Sequence, residues 1–97
     1  MNMQQIMKQA KALQDDMMRE KQKIDAMEFE SKNGFVTVKA NGKKEILKIS
    51  IDSDSMDRDD LDALEDMIQI AVNKVFSDID KITEEKMGKY TNIPGLF

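Results

Sequence analysis

Residues 57–89 read DRDDLDALEDMIQIAVNKVFSDIDKITEEKMGK, and the period of this stretch decides the fold. At about 100° per residue, Leu61, Leu64, Ile68, Ala71, Val72, Val75, Ile79 and Ile82 fall in one stripe, with Met67 and Phe76 on its flanks. A stripe that wide is the buried face of a core helix rather than a narrow coiled-coil seam. Asp59, Asp60 and Asp62 crowd the first turn, and Lys86 and Lys89 sit near the far end, each where the helix dipole favours its charge. Gly88, then Pro94, mark the expected stop. Ile70 lies roughly opposite the stripe. It is either a stray exposed apolar residue, which is common, or a contact with a second copy of the chain.

A core helix needs a surface to cover, and the preceding residues supply strands. Met27 to Ser31 alternates apolar and polar, Lys32-Asn33-Gly34 reads as a turn, and Phe35 to Ala40 alternates again with β-branched residues. Asn41-Gly42 is a strong signal for a tight hairpin turn with positive φ at both central positions. Lys43 to Ile51 then forms a third strand. Leu47, Ile49 and Ile51 are expected to join Val36, Val38 and Ala40 against the helix, with Lys39, Lys44 and Lys48 on the other side. Asp52 to Met56 connects sheet to helix, with Ser55 or Asp57 as its cap.

The N-terminal residues follow a different rule. Met3, Ile6, Ala10, Leu13, Met17, Ile24 and Met27 recur at spacings of three and four, broken only by Glu20, and no Pro or Gly intervenes. A helix over residues 3–26 would be about 36 Å long. A compact chain of this size has a radius of gyration of about 12–13 Å and a diameter near 32 Å. Part of the helix therefore projects or packs along a second protomer, unless it lies wholly on the sheet or the second helix. The expected order is α-β-β-β-α, an α+β fold of one 97-residue domain, with an arm helix at 3–26, a three-stranded antiparallel sheet at 27–51, a core helix at 57–88 and a tail at 89–97.

Composition narrows the chemistry. The chain has no Cys and no His, so disulfide frameworks, thiol nucleophiles, imidazole bases and the common zinc sites are excluded together. No apolar run reaches membrane-spanning length, and Met1 to Lys11 lacks the apolar centre of a signal peptide, so a cytoplasmic protein is expected. The net charge of −4 is uneven: residues 1–51 carry +3 and residues 52–97 carry −7. Asp52-Ser53-Asp54 opens like a calcium loop, but Met56, Asp57 and Ala63 stand where a ligand, a Gly and a bidentate Glu are required. The four glycines are scattered singly and form no phosphate loop. No pair of carboxylates is placed in a pocket, so neither an enzyme nor a metal or cofactor is expected.

What remains is charge on a surface. Lys8 and Lys11 have no acidic neighbour before Asp15, whereas Arg19, Lys21 and Lys23 stand among Asp15, Asp16, Glu20 and Asp25. Such residues can meet phosphates along a helix. They equally fit a solvated face laced with pairs such as Asp15–Arg19, which on the residues alone is the commoner case.

Several stretches together resemble the YbaB/EbfC family of nucleoid-associated proteins. Ile6-Met7-Lys8-Gln9-Ala10-Lys11, continuing through Leu13-Gln14-Asp15-Asp16-Met17, is similar to its opening helix, and Ile49-Ser50-Ile51-Asp52 to the end of its third strand. Leu64-Glu65-Asp66-Met67-Ile68, Ala71-Val72-Asn73, Glu85-Lys86-Met87 and the ending Ile93-Pro94-Gly95-Leu96-Phe97 also fit, in the right order over nearly the whole length. The resemblance implies a small bacterial DNA-binding protein, located at the nucleoid and acting as a homodimer. Its first helices form paired arms around duplex DNA, sequence specificity is low, and roles lie in nucleoid organisation and gene regulation. Two features depart from the family pattern, the acidic net charge and a short turn between the first two strands. On that reading Lys8, Lys11, Arg19, Lys21 and Lys23, with Lys86 and Lys89, neutralise phosphates of double-stranded DNA, while Leu13, Met17 and Ile70 serve a dimer or core interface. No membrane or small-molecule substrate is implied. The alternative is a protein-interaction adaptor, without DNA binding, whose heptad arms and nine methionines clasp a partner helix.

Overall fold

The computed structural model describes residues 2–91. Helix α1 (Met3–Asp25) opens on Asn2, whose side-chain oxygen accepts the backbone N–H of Gln5 at 2.9 Å. Strands β1 (Glu28–Asn33), β2 (Val36–Asn41) and β3 (Ile46–Ile51) form one antiparallel sheet in that order. Two single-turn 3₁₀ segments, Ser53–Ser55 and Arg58–Asp60, lead into helix α2 (Leu61–Thr91). At the entry the Asp57 N–H donates to the Asp60 carboxylate at 2.8 Å, a capping-box bond of the kind that starts helices, while Ser55 bonds Asp52 instead.

The expected α-β-β-β-α order is present, and its core is the contact of β1 and β2 with α2. Val36, Val38 and Ala40 project from the middle strand onto Ala71, Val75 and Ile79, and all six are buried. Burial of each branched side chain contributes roughly 1.5–3 kcal/mol. Small residues at Ala40 and Ala71 let the helix backbone approach closely. There the hydroxyl of Ser31 on β1, itself buried, donates to the Ala71 carbonyl at 2.5 Å. A buried hydroxyl without such a partner would be destabilising, so this bond fixes where α2 crosses β1.

The third strand departs from expectation. Leu47, Ile49 and Ile51 are 50%, 43% and 40% exposed, and α2 packs on β1 and β2 rather than on β3. The reason is width. A helix about 10–12 Å across covers about two strands spaced roughly 4.8 Å apart, and a third lies beyond its edge. The register sets Ile51 opposite Val36 and Ile49 opposite Val38, and a bulge between Lys39 and Ala40 brings Ile46 opposite Ala40. The buried face of β2 thus continues as an open apolar row on β3. Leu61, expected in the helix stripe, is also exposed at 58%.

Both turns differ in detail. The first is Gly34-Phe35, with Gly34 at φ +56°, whereas Lys32 and Asn33, expected in the turn, are the last residues of β1, and Phe35, expected in the strand, lies in the turn. In the second, positive φ falls on Lys44 (+62°) rather than on Asn41 and Gly42. Asn41 is the organiser: its carbonyl accepts the N–H of Lys44 at 3.0 Å and its side-chain oxygen accepts those of Lys43 and Glu45. This is a three-residue loop ending in a left-handed residue. It turns Lys44 towards α2, where its ammonium lies 2.5 Å from Asp80, so Lys44 does not share the outer sheet face with Lys39 and Lys48.

The second helix does not stop at Gly88 but runs to Thr91. A glycine inside a helix costs about 1 kcal/mol, which burial of Tyr90 just beyond it offsets. Pro94 and the apolar ending lie outside the described residues. The molecule measures 71 × 19 × 14 Å with a radius of gyration of 19.6 Å, well beyond a compact chain of this length, because α1 projects.

Candidate nucleic-acid interface

The arm is built from α1 and the last turns of α2. Before its terminal Asp25, the covered positions of α1 are Leu13, Met17, Glu20 and Ile24, of which Ile24 is fully buried. Their spacing of four, three and four makes one stripe towards α2. Met17 and Ile24 share a cleft with Thr83 and Met87 of the second helix. Glu20, the break in the heptad pattern, sits half-buried within this stripe. Residues 2–12 are exposed at every position, so the outer part of the arm is a single helix among the described residues.

The arm's root is set by Gly42 in the second turn. A Cβ at that position would collide with the backbone carbonyl of Ile24, so only glycine lets the end of α1 rest on the β2–β3 loop. The glycine that looked like a turn signal is required for close approach instead.

The predicted site residues divide by what neutralises them. Arg19 pairs with Asp16, one residue along from the expected Asp15, and Lys21 lies 3.6 Å from Asp25. Lys8 and Lys11 are exposed on the single-helix part and have no ion-pair partner among the described residues, nor does Lys23 in the last turn of α1. Lys86 and Lys89 are exposed on the part of α2 that packs beside α1, with the Lys89 ammonium 5.1 Å from the centre of the Tyr90 ring. The structure therefore gathers all seven cations on one elongated arm. Of the interface candidates, Met17 is partly covered by the chain's own second helix, Leu13 is half-buried, and Ile70 is 51% exposed on α2.

Sequence reasoning missed the open row Ile46, Leu47, Ile49 and Ile51 by assigning most of it to the core. The signal was present: three strands are wider than one helix. It also passed over Gln4, Met7 and Gln14, which share one surface of α1 with Lys8 and Lys11. At the opposite end of the molecule from the arm tip, residues 52–66 carry eight acidic side chains and one arginine. Like charge there repels a polyanion and leaves the arm as the side on which one could approach. No described helix is long and apolar enough to cross a membrane.

Comparison with known proteins places the chain among nucleoid-associated relatives. The chain is 44% identical to a nucleoid-associated protein of Ligilactobacillus salivarius, over 99% of this chain and 95% of the relative. It is 43% identical to one of Oceanobacillus iheyensis over 99% and 97% of the two chains. It is 47% identical to one of Lactobacillus acidophilus over 94% and 84%. The family profile described as the YbaB/EbfC DNA-binding family matches residues 1–94, and with these relatives it shows that the chain belongs to that bacterial family of non-enzymatic, nucleoid-associated DNA-binding proteins.

Proposed function

We propose that the protein acts as a homodimer whose arms hold duplex DNA mainly through phosphate contacts, with low sequence specificity, in the cytoplasm at the nucleoid. It would there contribute to nucleoid organisation and gene regulation. The observation that carries this reading is the outer part of α1, where Lys8 and Lys11 stand on a freely exposed helix with no carboxylate paired to them among the described residues. Phosphate contacts position a protein on DNA without reading its sequence. Arg19, Lys21, Lys23, Lys86 and Lys89 extend the same surface towards the body.

The homodimer is supported by the uncovered side of β3. It is an edge strand that carries an open apolar row, and both features are normally hidden in a soluble protein. A second copy offers the same strand and the same row, so a two-fold contact satisfies both at once. Ile70 is available to extend that contact. The adaptor alternative is less well supported, because Met17, one of the residues meant to grip a partner helix, already packs on the chain's own α2.

The test combines light scattering with mobility shift on mixed-sequence duplex over a salt series. A mass of two chains and an affinity that falls steeply with salt, by about 0.9 in log units per neutralised phosphate, are expected. A single-chain mass, or an affinity flat across the titration, would remove the reading.

A further inference from the structure

We infer that the outer part of α1 enters the major groove of the duplex, with Gln4 and Lys11 facing base edges. This rests on the proposed function and adds to it where the arm goes and which side chains it presents there.

Three observations carry the inference. The first is shape. Residues 3–12 form a helix that stands alone among the described residues, about 10–12 Å across, and the major groove is about 12 Å wide. From Leu13 inward α1 is packed beside α2, and a helix pair with axes about 8–10 Å apart is too broad to enter. The structure thus has an insertable tip of about 15 Å followed by a shoulder that stops it.

The second is charge. Residues 2–14 contain no acidic side chain, and Lys8 and Lys11 are unpaired among the described residues. Acidic residues begin at Asp15 and Asp16, just past the shoulder, and the cations beyond it, Arg19 and Lys21, are each paired with a carboxylate. The uncompensated positive charge is confined to the part that fits the groove.

The third is the character of the face. On the side away from the α2-facing stripe, Gln4 and Lys11 lie nearly in line, with Lys8 on one flank, Met7 and Gln14 on the other, and Asp15 closing the same face at its inner end. Gln4 and Lys11 are two helical turns apart, about 10.5 Å, which matches about three base-pair steps of 3.4 Å. A glutamine can bond both N6 and N7 of adenine, a lysine the O6 and N7 of guanine, and Met7 offers an apolar surface to thymine methyls. Lys8 and Gln14 then reach phosphates at either lip. The inward side of the tip, continuing the stripe with Ile6, points away from the DNA.

The inference is tested with the full chain on two duplexes of one sequence, plain and with glucosylated hydroxymethylcytosine, whose sugars fill the major groove. Affinity for the blocked duplex is expected to fall by about tenfold or more, as loss of base-edge contacts requires, while the minor-groove ligand netropsin leaves binding to the plain duplex unchanged. Gln4→Ala, which favours the helix as well as glutamine does, is expected to weaken binding to the plain duplex and not to the blocked one. Equal affinity for plain and blocked duplexes, or an equal effect of Gln4→Ala on both, overturns the groove placement and leaves the phosphate-binding arm standing. Absence of binding to the plain duplex at low salt overturns both.

Discussion

Gly42 lies directly against the carbonyl of Ile24, in a space that admits no side chain. The contact joins the end of the arm helix to the loop between β2 and β3, so it sets the arm's angle to the sheet. Gly42→Ala is expected to push the two apart and cost about 1–3 kcal/mol, or a fall in Tm of about 4–8 °C per kcal/mol. Gly88→Ala should go the other way. It sits inside α2 with nothing described within 4 Å of an added Cβ, so up to about 1 kcal/mol of stability is gained. Thermal unfolding of the two variants would show opposite signs, and equal signs would contradict this account of the two glycines.

Lys44 holds a left-handed conformation that costs a non-glycine residue about 1–2 kcal/mol. Its ion pair with Asp80 is partly exposed on both sides, and such pairs contribute about 0–1 kcal/mol. Backbone strain is the larger quantity, so Lys44→Gly is expected to raise the urea midpoint slightly despite losing the pair. Asp80→Ala alone, which keeps the strain, should lower it or leave it unchanged.

The cations of the arm should not count equally. Lys8→Ala is expected to lower affinity for all duplex sequences and to reduce the salt slope by about 0.9 per chain. Arg19→Ala and Lys21→Ala also free Asp16 and Asp25, so the net charge near DNA changes as much. Yet the cations they remove were already partly engaged, and smaller changes in slope are expected. Binding isotherms at four or five salt concentrations would rank them, and a larger slope change for Arg19 than for Lys8 would count against the outer arm as the main contact.

The open row on β3 predicts an oligomerisation defect without unfolding. Ile49 is 43% exposed and is not under α2, so Ile49→Lys should leave the core of Val36, Val38, Ala71 and Val75 intact. A charge placed in an apolar contact between two copies should separate them. Circular dichroism is expected to show an unchanged helix content while light scattering falls to the mass of one chain. A variant that remains two chains would place the contact elsewhere, with Ile70→Lys as the next variant to measure.

The elements themselves were legible in the residues because each is a local periodic pattern. The 3.6-residue stripe of α2, the alternation of Val36, Val38 and Ala40, and an α1 longer than a compact body of this size require nothing beyond spacing. Sequence alone also placed most of the positive charge before residue 52 and most of the negative charge after it. What a periodic pattern cannot contain is which neighbour fills each face. That α2 lies over β1 and β2 and leaves Ile46, Leu47, Ile49 and Ile51 open depends on the relative widths of helix and sheet. That Gly42 serves close approach while Lys44 takes the strained backbone depends on where the end of α1 comes to rest. Which lysines remain uncompensated depends on side chains meeting in space: Arg19 chose Asp16 and Lys44 reached Asp80, and those distances exist only once the helices and strands have packed.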